Sequence, residues 1–106
     1  MPTTTIHSLG TADFDAFIAS STPTLVDFWA PWCGPCKALT PTIESLANDL
    51  EGKAQIAKVN IDDHKELAVR YAIASIPTVL IFKSGQLTNT LVGIRQQEEY
   101  KQALLD

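Results

Sequence analysis

Long apolar runs are missing from this chain. The runs it has, such as Val79-Leu80-Ile81-Phe82, fall far short of the ~20 apolar residues a bilayer-spanning helix needs, so no membrane association is expected. Positive charge is also short. Eight Lys and Arg stand against twelve Asp and Glu, for a net charge of -4 and a pI near 5.0. That disfavours a nucleic-acid partner, whose phosphates call for clustered Lys and Arg. The N-terminal stretch Met1-Pro2-Thr3-Thr4-Thr5-Ile6-His7 has neither the basic start nor the apolar centre of a secretory signal, so a cytoplasmic location is expected. No internal repeat, low-complexity tract or Gly/Ser/Pro linker divides the chain. Its 106 residues therefore read as one domain, 1–106. At that length about 65% of the unfolded surface is buried on folding, enough for a core without disulfide staples or a structural metal. A hydrophobic share of 45% and a charged share of 19% are ordinary for a globular chain and argue against disorder.

Cysteine is scarce as well. There are two, and both lie in one window, Cys33-Gly34-Pro35-Cys36. A disulfide framework spreads its cysteines to close long loops, so this pair is no framework and needs a local explanation.

Hydrophobic periodicity places that window. Strand-like patterns cover 24–30, 55–61, 78–82 and 87–92, with a weaker one at 4–7. Helix-like patterns cover 11–20, 35–50, 64–71 and 96–105. Ser84-Gly85 is a hairpin signal between the last two strands. The order β α β α β α β β α implies parallel crossover units followed by an antiparallel pair, hence a mixed sheet with helices on both faces. In the second helix Leu39, Ile43, Leu46 and Leu50 form a stripe. Pro41 interrupts the hydrogen-bond ladder there, so a kink is expected.

The two cysteines are inequivalent in this frame. Pro35 suits a first helical turn, where its missing amide costs nothing. Cys33 then falls at the helix start, where free amides and the positive end of the dipole favour a thiolate, so an exposed, reactive Cys33 is expected. Stepping the apolar stripe back by three from Leu39 reaches Cys36, which should face the core. Residues so spaced have Cα atoms about 5–6 Å apart, within disulfide reach. Such a pair suits thiol–disulfide exchange: Cys33 attacks a substrate disulfide and Cys36 resolves the mixed disulfide. Half a zinc site is the first alternative. Zinc takes four ligands, and the only other soft candidates, His7 and His64, stand at no recognised spacing, so no metal is expected. A static structural disulfide is the second, but a bridge across so short a loop adds little stability.

Asp27 is the anomaly of the strand before the window. It shares one face with Leu25 and Trp29, and the other face carries Val26, Phe28 and Ala30. With both faces apolar, Asp27 is expected to be buried with a raised pKa and to accept the proton of Cys36. The alternative is a tolerated or locally solvated Asp. Lys58, on another inner strand, is a candidate neighbouring cation and equally readable as a solvated strand residue. Trp29 reads as core. Trp32, beyond the strand, should be exposed and shape a docking surface. The base rate of X-Pro bonds, about 5–6% cis in folded proteins, favours trans at Ile76-Pro77.

The run Trp29-Ala30-Pro31-Trp32-Cys33-Gly34-Pro35-Cys36-Lys37 resembles the active-site signature of the thioredoxin family. The likeness extends to Val26-Asp27-Phe28, to Pro41, to Lys58-Val59-Asn60-Ile61-Asp62, to Ile76-Pro77-Thr78, to Phe82-Lys83-Ser84-Gly85 and to Gly93, essentially the whole chain. It implies a three-layer α/β/α fold, a mixed five-stranded sheet flanked by four helices. Cys33 would be the attacking thiol, Cys36 the resolving one, and Asp27 the buried carboxylate tuned by Lys58. Pro77 would be cis against the redox-active disulfide, with Gly34 and Pro35 between the cysteines. Trp32, Ile76, Pro77 and Gly93 would line the groove that docks substrate. The resemblance further implies a monomer with no bound cofactor. It would serve electron transport and cell redox homeostasis, reducing disulfide-containing target proteins and being recycled by thioredoxin reductase, a flavoprotein using NADPH. Ala74 and Ser75 depart from the Arg or Gly common there, and the segment 64–66 lacks a proline frequent in bacterial members. Both departures touch the rim and bear on substrate preference.

Two rival functions remain at this level. Disulfide oxidases and isomerases of related chemistry tend to carry His between the cysteines, so Gly34-Pro35 favours a reductase. A binding module that uses the groove alone is the other, and the complete cysteine pair with Asp27 argues against it.

Overall fold

The computed structural model of the chain describes residues 6–106. The elements in order are β1 (His7–Ser8), α1 (Phe14–Ile18), β2 (Thr24–Trp29), α2 (Gly34–Asp49), β3 (Gln55–Asn60), α3 (Lys65–Arg70), β4 (Thr78–Lys83), β5 (Gln86–Val92) and α4 (Gln97–Leu105). They form a five-stranded sheet in the order β1-β3-β2-β4-β5. The crossovers through α1 and α2 make β1, β3 and β2 parallel, and β4 and β5 run antiparallel to their neighbours. This is the mixed sheet expected from the order of elements.

Each face of the sheet is covered, which makes the three layers. On one side Leu39, Ile43 and Leu46 of α2 and Tyr100 and Leu104 of α4 pack on Leu25, Ile56, Val79 and Ile81. On the other, Phe14 and Ile18 of α1 and Leu67 of α3 pack on Val26, Phe28, Val59 and Leu80. The central strands β2 and β4 are therefore apolar on both faces, as buried strands are. Six residues of β2 lie in register with β3, placing Asp27 beside Lys58.

Element ends differ from the sequence pattern by local chemistry. The first strand candidate falls partly on Thr4 and Thr5, outside the described residues, and the described strand is His7–Ser8. The first helix starts only at Phe14, because Asp13 Oδ1 accepts from the Gly10 amide at 2.8 Å and holds 10–13 in a turn. Helix α2 runs through Pro41 as one 16-residue element. Ser84 and Gly85 have φ of 51° and 82°, the positive pair that a two-residue hairpin turn requires.

Candidate active site

The site forms where β2 ends and α2 begins. Pro31 and Trp32 carry the chain out of the sheet, and the Cys33 amide donates to Ala30 O at 3.2 Å to close the turn. Cys33 is the N-cap of α2 in extended geometry, and its Sγ accepts from the Cys36 amide at 3.1 Å. Gly34 and Pro35 fill the first helical turn, and Cys36 lies on the inward stripe. The two cysteines form a disulfide with Cα atoms 5.3 Å apart.

One sequence expectation is corrected here. Cys33 is not exposed: it is 4% accessible against 3% for Cys36. The Ile76–Pro77 segment covers it, with Ile76 O 3.9 Å from Cys33 Sγ and Trp29 and Ile61 packed around the pair. The difference between the two cysteines lies in their place on the helix. Cys33 Sγ stands before the first turn, among the free amides, while Cys36 is inside the helix and turned to the sheet.

The Ile76–Pro77 peptide is cis, against the base rate for X-Pro bonds. The Gly93 amide donates to Pro77 O at 2.8 Å, which brings the end of β5 against the same segment. Gly93 is thus tied to Pro77, next to the Ile76 that packs on the disulfide. Trp32 is 67% exposed, and its Nε1 donates to Asp62 at 3.0 Å. Sequence reasoning missed Asp62 as its anchor, since no local pattern relates residues thirty apart. It also missed Tyr100, whose hydroxyl accepts from the Arg95 amide at 3.0 Å and donates to Gly93 O at 3.4 Å.

Asp27 is buried, 6% accessible, and its Oδ1 has no hydrogen-bond partner among the described residues. Burial without full compensation favours the neutral acid and pushes its pKa up to about 7, against the opposing pull of the Lys58 ammonium. Lys58 Nζ lies 5.0 Å from the centre of the Trp29 ring, a cation–π distance. A cavity of about 100 Å³ joins these groups, lined among others by Asp27, Trp29, Cys36, Thr40 and Lys58. Its walls are mostly apolar, but Asp27, Thr40 and Lys58 offer polar groups, and a space of that size admits water between a buried thiol and a carboxyl group. Among the described residues no group of three or more His, Cys, Asp or Glu could hold a metal ion. No helix among them is long and apolar enough to cross a membrane.

A family model described as Thioredoxin matches residues 5–106. Curated thioredoxins of Staphylococcus aureus strains Mu50 / ATCC 700699 and MW2 are each 46% identical over 93 residues, 88% of both chains. Among solved structures, the thioredoxin of Malassezia sympodialis superposes with a TM-score of 0.88 at 28% identity, covering 97% of this chain and 91% of that one. With the disulfide at the start of α2 in a five-stranded mixed sheet, these likenesses show that the chain belongs to the thioredoxin family of thiol–disulfide oxidoreductases and has protein-disulfide reductase activity.

Proposed function

We propose that the chain is a cytoplasmic, monomeric, single-domain dithiol carrier whose steps divide among Cys33, Cys36 and Asp27. The Cys33 thiolate attacks one sulfur of a target disulfide. A mixed disulfide forms and the first target thiolate leaves. Cys36 then gives its proton to Asp27, and its thiolate attacks Cys33 Sγ. The Cys33–Cys36 disulfide forms and the second target thiolate leaves. The target gains two electrons and the pair loses two. Thioredoxin reductase, a flavoprotein drawing on NADPH, returns two electrons to the pair, which gives the chain its place in electron transport and redox homeostasis. The chain itself holds no cofactor in this scheme.

The carrying observation is that Asp27 and Cys36 line one cavity directly behind a disulfide seated at a helix N-terminus. The helix start favours the Cys33 thiolate through free amides and dipole. A base with a pKa of about 7 is matched to proton transfer at neutral pH. Lys58 opposes the rise and keeps Asp27 from becoming too weak an acid. Trp32, Ile76, Pro77 and Gly93 supply the docking groove in this reading, and Gly34 adds no side chain beside the cysteines. The recycling partner and the cytoplasmic setting rest on the family resemblance and on chemistry, since a pair recycled as thiols needs a reducing compartment.

Insulin reduction driven by dithiothreitol tests the division of roles. Wild type accelerates it, Cys33→Ser does not, and Cys36→Ser accumulates mixed disulfides visible on non-reducing gels. If Cys33→Ser retained wild-type activity, or if Cys36→Ser trapped nothing, the assignment of attacking and resolving thiols would fail. An inactive wild type would move the reading to a binding module.

A further inference from the structure

Lys58 stands at a junction of three hollows. One reaches Asp27 and Cys36. A second is shared with Asn60, Asp63 and His64. A third is shared with Ala47 and Asn48 of α2. Glu44, exposed on α2, lines the first and the third together with Lys58. Lys58 is in none of the ion pairs among the described residues, and its ammonium rests over the Trp29 ring. It therefore shares a hollow with the buried Asp27 carboxyl and the exposed Glu44 carboxylate, and is hydrogen-bonded to neither among the described residues. A flexible four-carbon stem lets such a cation redistribute between them.

We propose that Glu44 is a positioning residue for the exchange reaction: from the rim of the cavity its carboxylate draws the Lys58 ammonium outward and limits how far Lys58 neutralises Asp27. This rests on the reading of Asp27 as the proton acceptor. The groups facing Asp27 are Lys58 from β3, Cys36, Lys37 and Glu44 from α2, and Tyr100 from α4, whose hydroxyl senses the Asp27 charge. Its β4 neighbour, Val79, is uncharged. Lys37 is the other cation within reach of Glu44, and Asp63 and His64 flank Lys58 on its far side. None of these changes in the test. Removing the Glu44 charge releases Lys58 inward. A closer cation favours the ionised form of Asp27 and lowers its midpoint.

The test is a carbon-13 carboxyl NMR titration of Asp27 in the oxidised protein, for wild type, Glu44→Gln, Lys58→Met and the double variant. Glu44→Gln lowers the midpoint by about half a pH unit, a fraction of the ~1–3 units an opposite charge at contact produces. In the Lys58→Met background the same substitution leaves the midpoint in place. A merely structural role for Glu44 produces no Lys58-dependent shift. An unmoved or raised midpoint in Glu44→Gln, or an equal drop without Lys58, overturns the proposal. The NMR midpoint does not depend on what Asp27 does in the reaction. Failure of the proton-acceptor reading appears separately, as an unchanged pH–rate profile for mixed-disulfide resolution in Asp27→Asn.

Discussion

Asp27→Asn should stabilise the oxidised protein, and the gain should depend on pH in a way only a buried ionisable group produces. The carboxyl pKa rises from 3.8 to about 7 on folding, chiefly because the group leaves water. Below the unfolded value both states hold the proton, and the substitution changes little. Between the two values the unfolded chain ionises while the folded one stays protonated, so wild-type stability falls as pH rises. Above the folded value the loss is complete. A gap of about three units at ~1.36 kcal/mol each gives a full effect of about 4 kcal/mol, undiminished by solvent screening because the side chain is almost wholly buried. Urea unfolding of wild type and variant with the disulfide intact, from pH 4 to pH 9, measures it. The variant should exceed wild type by only about half a kcal/mol near pH 4 and by about 4 kcal/mol near pH 8.5. A stability difference of the same size at both ends would mean that packing, and not ionisation, separates the two proteins. On the proposed role of Asp27 as proton acceptor, the same variant should also resolve mixed disulfides more slowly while the fold is kept.

Two further expectations concern contacts that hold the site's frame. Gly10→Ala would place a Cβ 2.6 Å from Cε1 of His64, a half-buried ring at the start of α3, and should cost about 1–3 kcal/mol by urea unfolding. Adding His64→Ala should recover most of that loss, and no recovery would show that the clash is not the cause. Tyr100→Phe removes the hydroxyl that accepts from the Arg95 amide and donates to Gly93 O, and should cost about 1 kcal/mol. Faster hydrogen exchange at the Arg95 amide checks it, and unchanged exchange there would detach Tyr100 from the Gly93 loop.

Much of the site was legible because its causes are local. Counting back along the Leu39, Ile43, Leu46 stripe turns Cys36 inward, and α2 does start beside it. Two apolar faces around Asp27 imply its burial, and the side chain is buried. The expected exposure of Cys33 was wrong for a nonlocal reason. A helix start is open to solvent unless another segment covers it, and the Ile76–Pro77 segment, more than forty residues on, does so. The cis bond beside it went against a base rate that knows nothing of surroundings. Asp62 under Trp32 and Tyr100 under Gly93 left no periodic trace, since each contributes one polar atom to a distant loop.

By itself the sequence determined the reagents and their local setting: a cysteine pair on a helix start, one carboxylate in an apolar strand, and the alternation of elements that makes a mixed sheet. These follow from period, capping and turn chemistry, which act over a few residues. Tertiary structure alone decided how reactive those reagents are. The pKa of Asp27 depends on how completely β2, β3, α2 and α4 exclude water around it and on where the Lys58 charge comes to rest. Access to Cys33 depends on a loop from the far side of the sheet. Desolvation and Coulomb interaction act through space, so only the folded arrangement sets them.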